Sequence, residues 1–97
     1  MPVMNITNAT IEDITSERNT TFVTVTYTNR NGNGRNEQTI RLVVGPRTII
    51  LNANGFPVSA NMLRRGMTIN TAISSAMTRS IPPQSTAYLI RIIDRRR

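Results

Sequence analysis

The sequence predicts an all-β chain of five or six mainly antiparallel strands with one short helix. Three observations carry that reading. Valine, isoleucine and tyrosine alternate with threonine at strand period in the middle of the chain. Fourteen Thr and eleven Asn occupy places where Lys and Glu are common, and Thr favours strands while Asn favours turns. Asn-Gly, Gly-Pro and Pro-Pro pairs punctuate the apolar runs at short intervals.

Taken in order, residues 3–15, "VMNITNATIEDIT", read as a first strand. Met4 and Ile6 share one parity and Ala9 and Ile11 the other, a one-residue shift of the buried face that a β-bulge around Thr7-Asn8 would produce. Two separate short strands are the alternative. The run "TFVTVTYTNRNGNGRNEQTIRLVV" reads as a hairpin: Val23, Val25 and Tyr27 alternate with Thr24, Thr26 and Thr28, and Ile40, Leu42 and Val44 alternate with Thr39, Arg41 and Val43. Asn-Gly occurs twice between them and suits the positive φ angles of a hairpin turn. Its Gly-x-Gly precedes no helix, so a phosphate cradle is not the reading.

Gly45-Pro46 ends that strand, and "RTIILN" supplies a short apolar one. After the turn "NANGFP", Ser59 is expected to cap a helix over 60–65 that stops at Gly66, with Arg64 and Arg65 favoured by the dipole in its last turn. A binding patch at Arg64-Arg65 is the competing reading. "MTINTAISSAM" gives a strand with Met67, Ile69, Ile73 and Met77 on one face. "TAYLIRIID" gives the last strand, with Tyr88, Ile90 and Ile92 on one side and Ala87, Leu89, Arg91 and Ile93 on the other. Tyr27 and Tyr88 share parity with apolar neighbours and are expected in the core. Thr78-Arg79-Ser80 lead into Pro82-Pro83. Neither proline can donate to a ladder, and Ile81 before them is pushed extended, so this segment reads as a corner between strands. Ser80 has no base beside it in sequence and reads as a plain alcohol.

Two runs, "TIILNANGFPVSANMLRRGMTINTAISS" and "AMTRSIPPQSTAYLIRII", together residues 48–93, resemble small uncharacterised bacterial β-barrel domains related to the OB fold. The resemblance implies an OB-like barrel and implies no activity. The length of 97 residues suits one domain, read as residues 1–94, followed by a basic tail at 95–97.

Composition narrows the function. The net charge of +7 comes from twelve arginines and no lysine against five acids. Three of those arginines are Arg95-Arg96-Arg97. Such a balance permits binding to nucleic acid or another polyanion. The chain has no Cys, His or Lys. Disulfides, thiolate metal sites, Cys nucleophiles, His bases and lysine Schiff bases are therefore excluded. Glu12, Asp13 and Glu17 read as a solvated acidic turn, and the sequons at Asn5, Asn8 and Asn19 carry no argument without a glycosylating host. No enzyme, cofactor or small-molecule ligand is expected. No window is long and apolar enough to span a membrane, and the first residues lack the regions of a signal peptide, which favours a cytoplasmic setting. The expectation is a non-catalytic module that self-associates, with Val43, Leu89 and Ile93 as oligomer contacts. The alternative is weak, non-specific oligonucleotide binding that depends largely on the tail, with Arg41, Arg79 and Arg91 as anion contacts.

Overall fold

The computed structural model describes residues 2–31 and 34–93. Gly32 and Asn33, where the sequence leads one to expect a hairpin turn, and the basic tail 95–97 lie outside the described residues. Among the described residues six strands follow in chain order: β1 (Val3–Glu17), β2 (Thr20–Asn31), β3 (Gly34–Val44), β4 (Ile49–Leu51), β5 (Thr68–Ser74) and β6 (Gln84–Ile93). The chain is all-β, as its alternation requires. β1 pairs with both β2 and β5, β2 pairs with β3, and β5 pairs with β6, all antiparallel. A parallel pairing of β3 with β6, Arg41↔Gln84 to Val43↔Thr86, closes the ring β1-β2-β3-β6-β5. β4 adds an extra strand parallel to β6. The edge of β4 is covered by the segment behind it, where Val58 N–H donates to the Ile50 carbonyl at 2.8 Å.

Closing five strands requires sharp coiling, and three irregularities provide it. The first lies between Ile6 and Ala9 in the β1–β5 ladder, with Asn8 at φ 57. This is the bulge expected at Thr7-Asn8, and asparagine tolerates the left-handed region better than most residues. It keeps 3–17 a single bent strand. The second makes Glu12 the extra residue between Ile11↔Val25 and Asp13↔Thr24. Arg65 Nε donates to the Glu12 carbonyl at 3.1 Å, and Gly66 N–H donates to the Ile11 carbonyl at 2.8 Å. Gly66 has φ 91 there, a conformation that suits glycine. The third makes Tyr88 the extra residue between Ala72↔Leu89 and Ile73↔Ala87.

The core lies inside the ring. Ile11, Val23, Val25, Ile40, Leu42, Ile69, Ile73 and Ile90 are its largest fully buried side chains, and Leu63 closes it from the connection between β4 and β5. Each contributes about 1.5–3 kcal/mol through burial. The buried hydroxyls are satisfied locally: Thr71 Oγ1 donates to the Leu89 carbonyl at 2.8 Å, and Ser85 Oγ donates to the Ser74 carbonyl.

Two local expectations change. The helix over 60–65 is a single 3-10 turn, Ala60–Met62, and Ser59 makes no side-chain cap. Leu63 must reach the core in an extended conformation, at φ -76 and ψ 138, and this ends the turn early. Arg64 then donates to the Asn61 carbonyl at 2.7 Å, a bond to an end carbonyl with no long helix behind it. The second change concerns Tyr88. Strict alternation puts it inside, but the third bulge leaves Ala87 and Ile90 buried and Tyr88 half-exposed. Tyr27 does pack against the core, and burial pushes its phenol pKa upward.

Candidate functional site

Ring closure between β3 and β6 builds a continuous outer face from three strands. Side chains alternate across each strand, so the inward set Val23, Val25, Leu42, Val44, Ser85 and Ala87 leaves its neighbours outward. The register then aligns Phe22, Val43 and Thr86 in one row and Thr24, Arg41 and Gln84 in the next. Phe22, Arg41, Val43 and Tyr88 are all half-buried on this face. Beside Val43 lies a groove of about 530 Å³ lined by Pro46, Arg47, Thr48, Thr86 and Tyr88. Its floor is fixed by Thr48, whose hydroxyl accepts from Gly45 N–H at 3.1 Å and donates to the Ala87 carbonyl at 2.7 Å.

Arg41 is the centre of the face. Its guanidinium carbon sits 5.8 Å from the Phe22 ring centroid, a cation–π distance. Nη1 donates to Gln84 Oε1 at 3.2 Å, while Nε is buried without a hydrogen-bond partner. The backbone is pinned as well, with Arg41 N–H donating to the Pro83 carbonyl at 2.8 Å. A guanidinium has five N–H donors. One held against a ring with so few acceptors gains from any anion or carbonyl brought to it.

The other expected contacts scatter. Arg79 is exposed on the β5–β6 loop, which reaches Arg41 through Pro83 and Gln84. Arg91 is not part of this face: its Nη2 donates to the Ala53 carbonyl at 3.2 Å, and it lines a separate groove of about 260 Å³ with Asn5, Asn70, Ala72 and Leu89. Val43 and Leu89 therefore lie in different grooves, and Ile93 sits at the end of β6 opposite Thr68. The hydrogen bonds of Arg41, Arg64, Arg65 and Arg91 all go to uncharged acceptors, so their positive charge is not neutralised by them.

Sequence reasoning gave Phe22 and Arg47 no place in a site and put Tyr88 in the core. The signal for Tyr88 was a three-residue spacing between Ala87 and Ile90, masked because all four residues of that run are apolar or aromatic. Among the described residues no group of three or more His, Cys, Asp or Glu could hold a metal ion, and no helix is long and apolar enough to cross a membrane. No family model, curated protein or solved structure matches the chain.

Proposed function

We propose that the barrel is an OB-like module that binds single-stranded nucleic acid, weakly and without sequence preference, on the outer face of β2, β3 and β6. One observation carries the reading: two aromatic rings, Phe22 and Tyr88, flank Val43 on a face that also holds Arg41 and Arg47. Single strands are gripped by this combination, because every base has a π-face for an aromatic ring and every phosphate has a charge for a guanidinium. Tyr88 in the core would have left Phe22 without a second platform; its outward place removes that objection. The OB-like relationship, and with it the likeness to small bacterial barrels, is supported by the five-stranded closed ring and the bent first strand shared between its halves.

Anisotropy of a labelled oligothymidylate across a salt series tests this. The logarithm of affinity should fall with the logarithm of salt by about 0.7 per phosphate neutralised. Arg41→Ala should weaken binding and flatten that slope by about 0.7. Deleting Arg95-Arg96-Arg97 should weaken binding further through net charge. If the deletion alone abolishes binding and Arg41→Ala changes nothing, the face is not the site.

Self-association is the second reading, on a different surface. The outward residues Ile49, Leu89 and Ala72 align across β4, β6 and β5, and Ile49 is 55% exposed. Burying each large side chain there contributes about 1.5–3 kcal/mol before the costs of association. Light scattering at tens of micromolar should then show a species larger than monomer that Leu89→Asp dissociates. A monomer at that concentration removes this reading and leaves the first untouched.

A further inference from the structure

The connection from β5 to β6, residues 75–83, holds its own shape. Met77 packs against the core. Thr78 N–H donates to the Gln84 carbonyl at 3.0 Å, and Gln84 N–H returns a bond to Thr78 Oγ1 at 3.0 Å. The Thr78 and Ser80 hydroxyls are 2.6 Å apart, and Ser80 Oγ donates to the Pro82 carbonyl at 2.9 Å. The Thr78-Arg79-Ser80 corner thus uses its two hydroxyls to close the loop on itself. Arg79 and Ile81 are exposed on either side of Ser80, and Ile81 is 98% exposed.

A large aliphatic side chain in water contributes nothing to the monomer, and a pinned loop cannot fold it back onto the barrel. Because the loop is already ordered, a contact made by Ile81 would lose little to further ordering. Its surroundings decide what that contact is. A stable protein interface buries about 1,200–2,000 Å², and Ile81 is the lone large aliphatic side chain exposed on this loop. One such residue makes a poor protein interface, but it is the right size for the gap between two bases. The loop adjoins Arg41 through the Pro83 carbonyl and Gln84, so a strand lying on Arg41 would run onto it. Arg79, two residues away, supplies a charge for the adjacent phosphate.

We propose that Ile81 is an apolar wedge that parts two neighbouring bases of the bound strand, with Arg79 on the phosphate beside them; this rests on the binding reading above. Short oligonucleotides carrying 2-aminopurine at each position in turn test it, since that base brightens when it is unstacked. Bound to the wild-type protein, one position near the Arg41 contact should brighten. Ile81→Ser should lose the brightening at that position and bind several-fold more weakly, while Ile81→Leu retains both. Arg79→Ala should keep the brightening and flatten the salt dependence. The side chain of Ile81 is in water, so these variants should melt with the wild type. Wild-type binding with the same brightening in Ile81→Ser overturns the wedge alone. Absence of binding by the wild-type protein overturns the reading beneath it, and the wedge with it.

Discussion

Ile90→Ala should lower stability by about 2–5 kcal/mol, a large share of the roughly 5–15 kcal/mol that holds a domain of this size folded. Ile90 is fully buried on β6, opposite Thr71 of β5 on one side and Ile50 of β4 on the other. β6 also carries the parallel pairing that closes the ring. Removing the side chain loses its transfer energy and leaves a cavity lined by strands that closure holds in place, so relaxation into the gap is limited. Urea unfolding should show a lower midpoint with an unchanged slope. Ile90→Val should cost only about 0.5–1.5 kcal/mol, and Ile93→Ala, half-buried at the strand end, less than Ile90→Ala. A loss below about 1 kcal/mol for Ile90→Ala would mean that β6 does not seal the core.

The irregularities of the strands separate what the sequence discloses from what it hides. All three produce one pattern, two inward residues three apart in place of two. Ile6 and Ala9 show it openly, because Thr7 and Asn8 between them are polar, and the bulge there was legible. Ile11 and Ile14 show it equally, with Glu12 and Asp13 between them. Two adjacent acids suit a solvated turn as well as a bulge, so that spacing is ambiguous in the sequence. At Ala87 and Ile90 the intervening Tyr88 and Leu89 are themselves apolar, so strict alternation and a bulge fit the same letters. Only the register against β5 decides between them.

The site was harder to read than the core for a related reason. Inward positions announce themselves by period, and the hairpin of β2 and β3 could be read almost residue by residue. Outward neighbours on different strands are set by closure. Arg41 was recognisable as an outward arginine, yet nothing local says that Gln84, some forty residues on, will accept from it, or that Pro83 will bond its backbone. The parallel pairing of β3 with β6 is a long-range event that leaves no periodic trace. Arg91 shows the opposite error: it is outward and basic by pattern, but the loop after β4 supplies the carbonyl of Ala53 as its partner. A basic outward residue becomes a plausible site only when its neighbours across the strands are known.

Phe22→Ala and Tyr88→Ala should each weaken single-strand binding by about 1–3 kcal/mol, the usual loss when one base loses its aromatic partner. The two should not behave alike. Tyr88 lines the groove beside Val43 and Arg47, and its loss should change affinity at all salt concentrations by nearly the same factor. Phe22 also carries the Arg41 guanidinium on its ring, so Phe22→Ala loosens the charge that meets phosphate. Its effect and that of Arg41→Ala should therefore overlap, and the double variant should fall short of the sum of the singles. Tyr88→Ala combined with Arg41→Ala should come closer to additivity. Tyr27→Ala supplies the contrast. Tyr27 packs against the core, so its removal should lower thermal stability while the remaining folded protein binds as the wild type does. Anisotropy titrations at two salt concentrations, paired with thermal melts of each variant, separate these outcomes. If Tyr27→Ala weakens binding as strongly as Tyr88→Ala in protein that is still folded, the strand does not lie on the outer face of β2, β3 and β6.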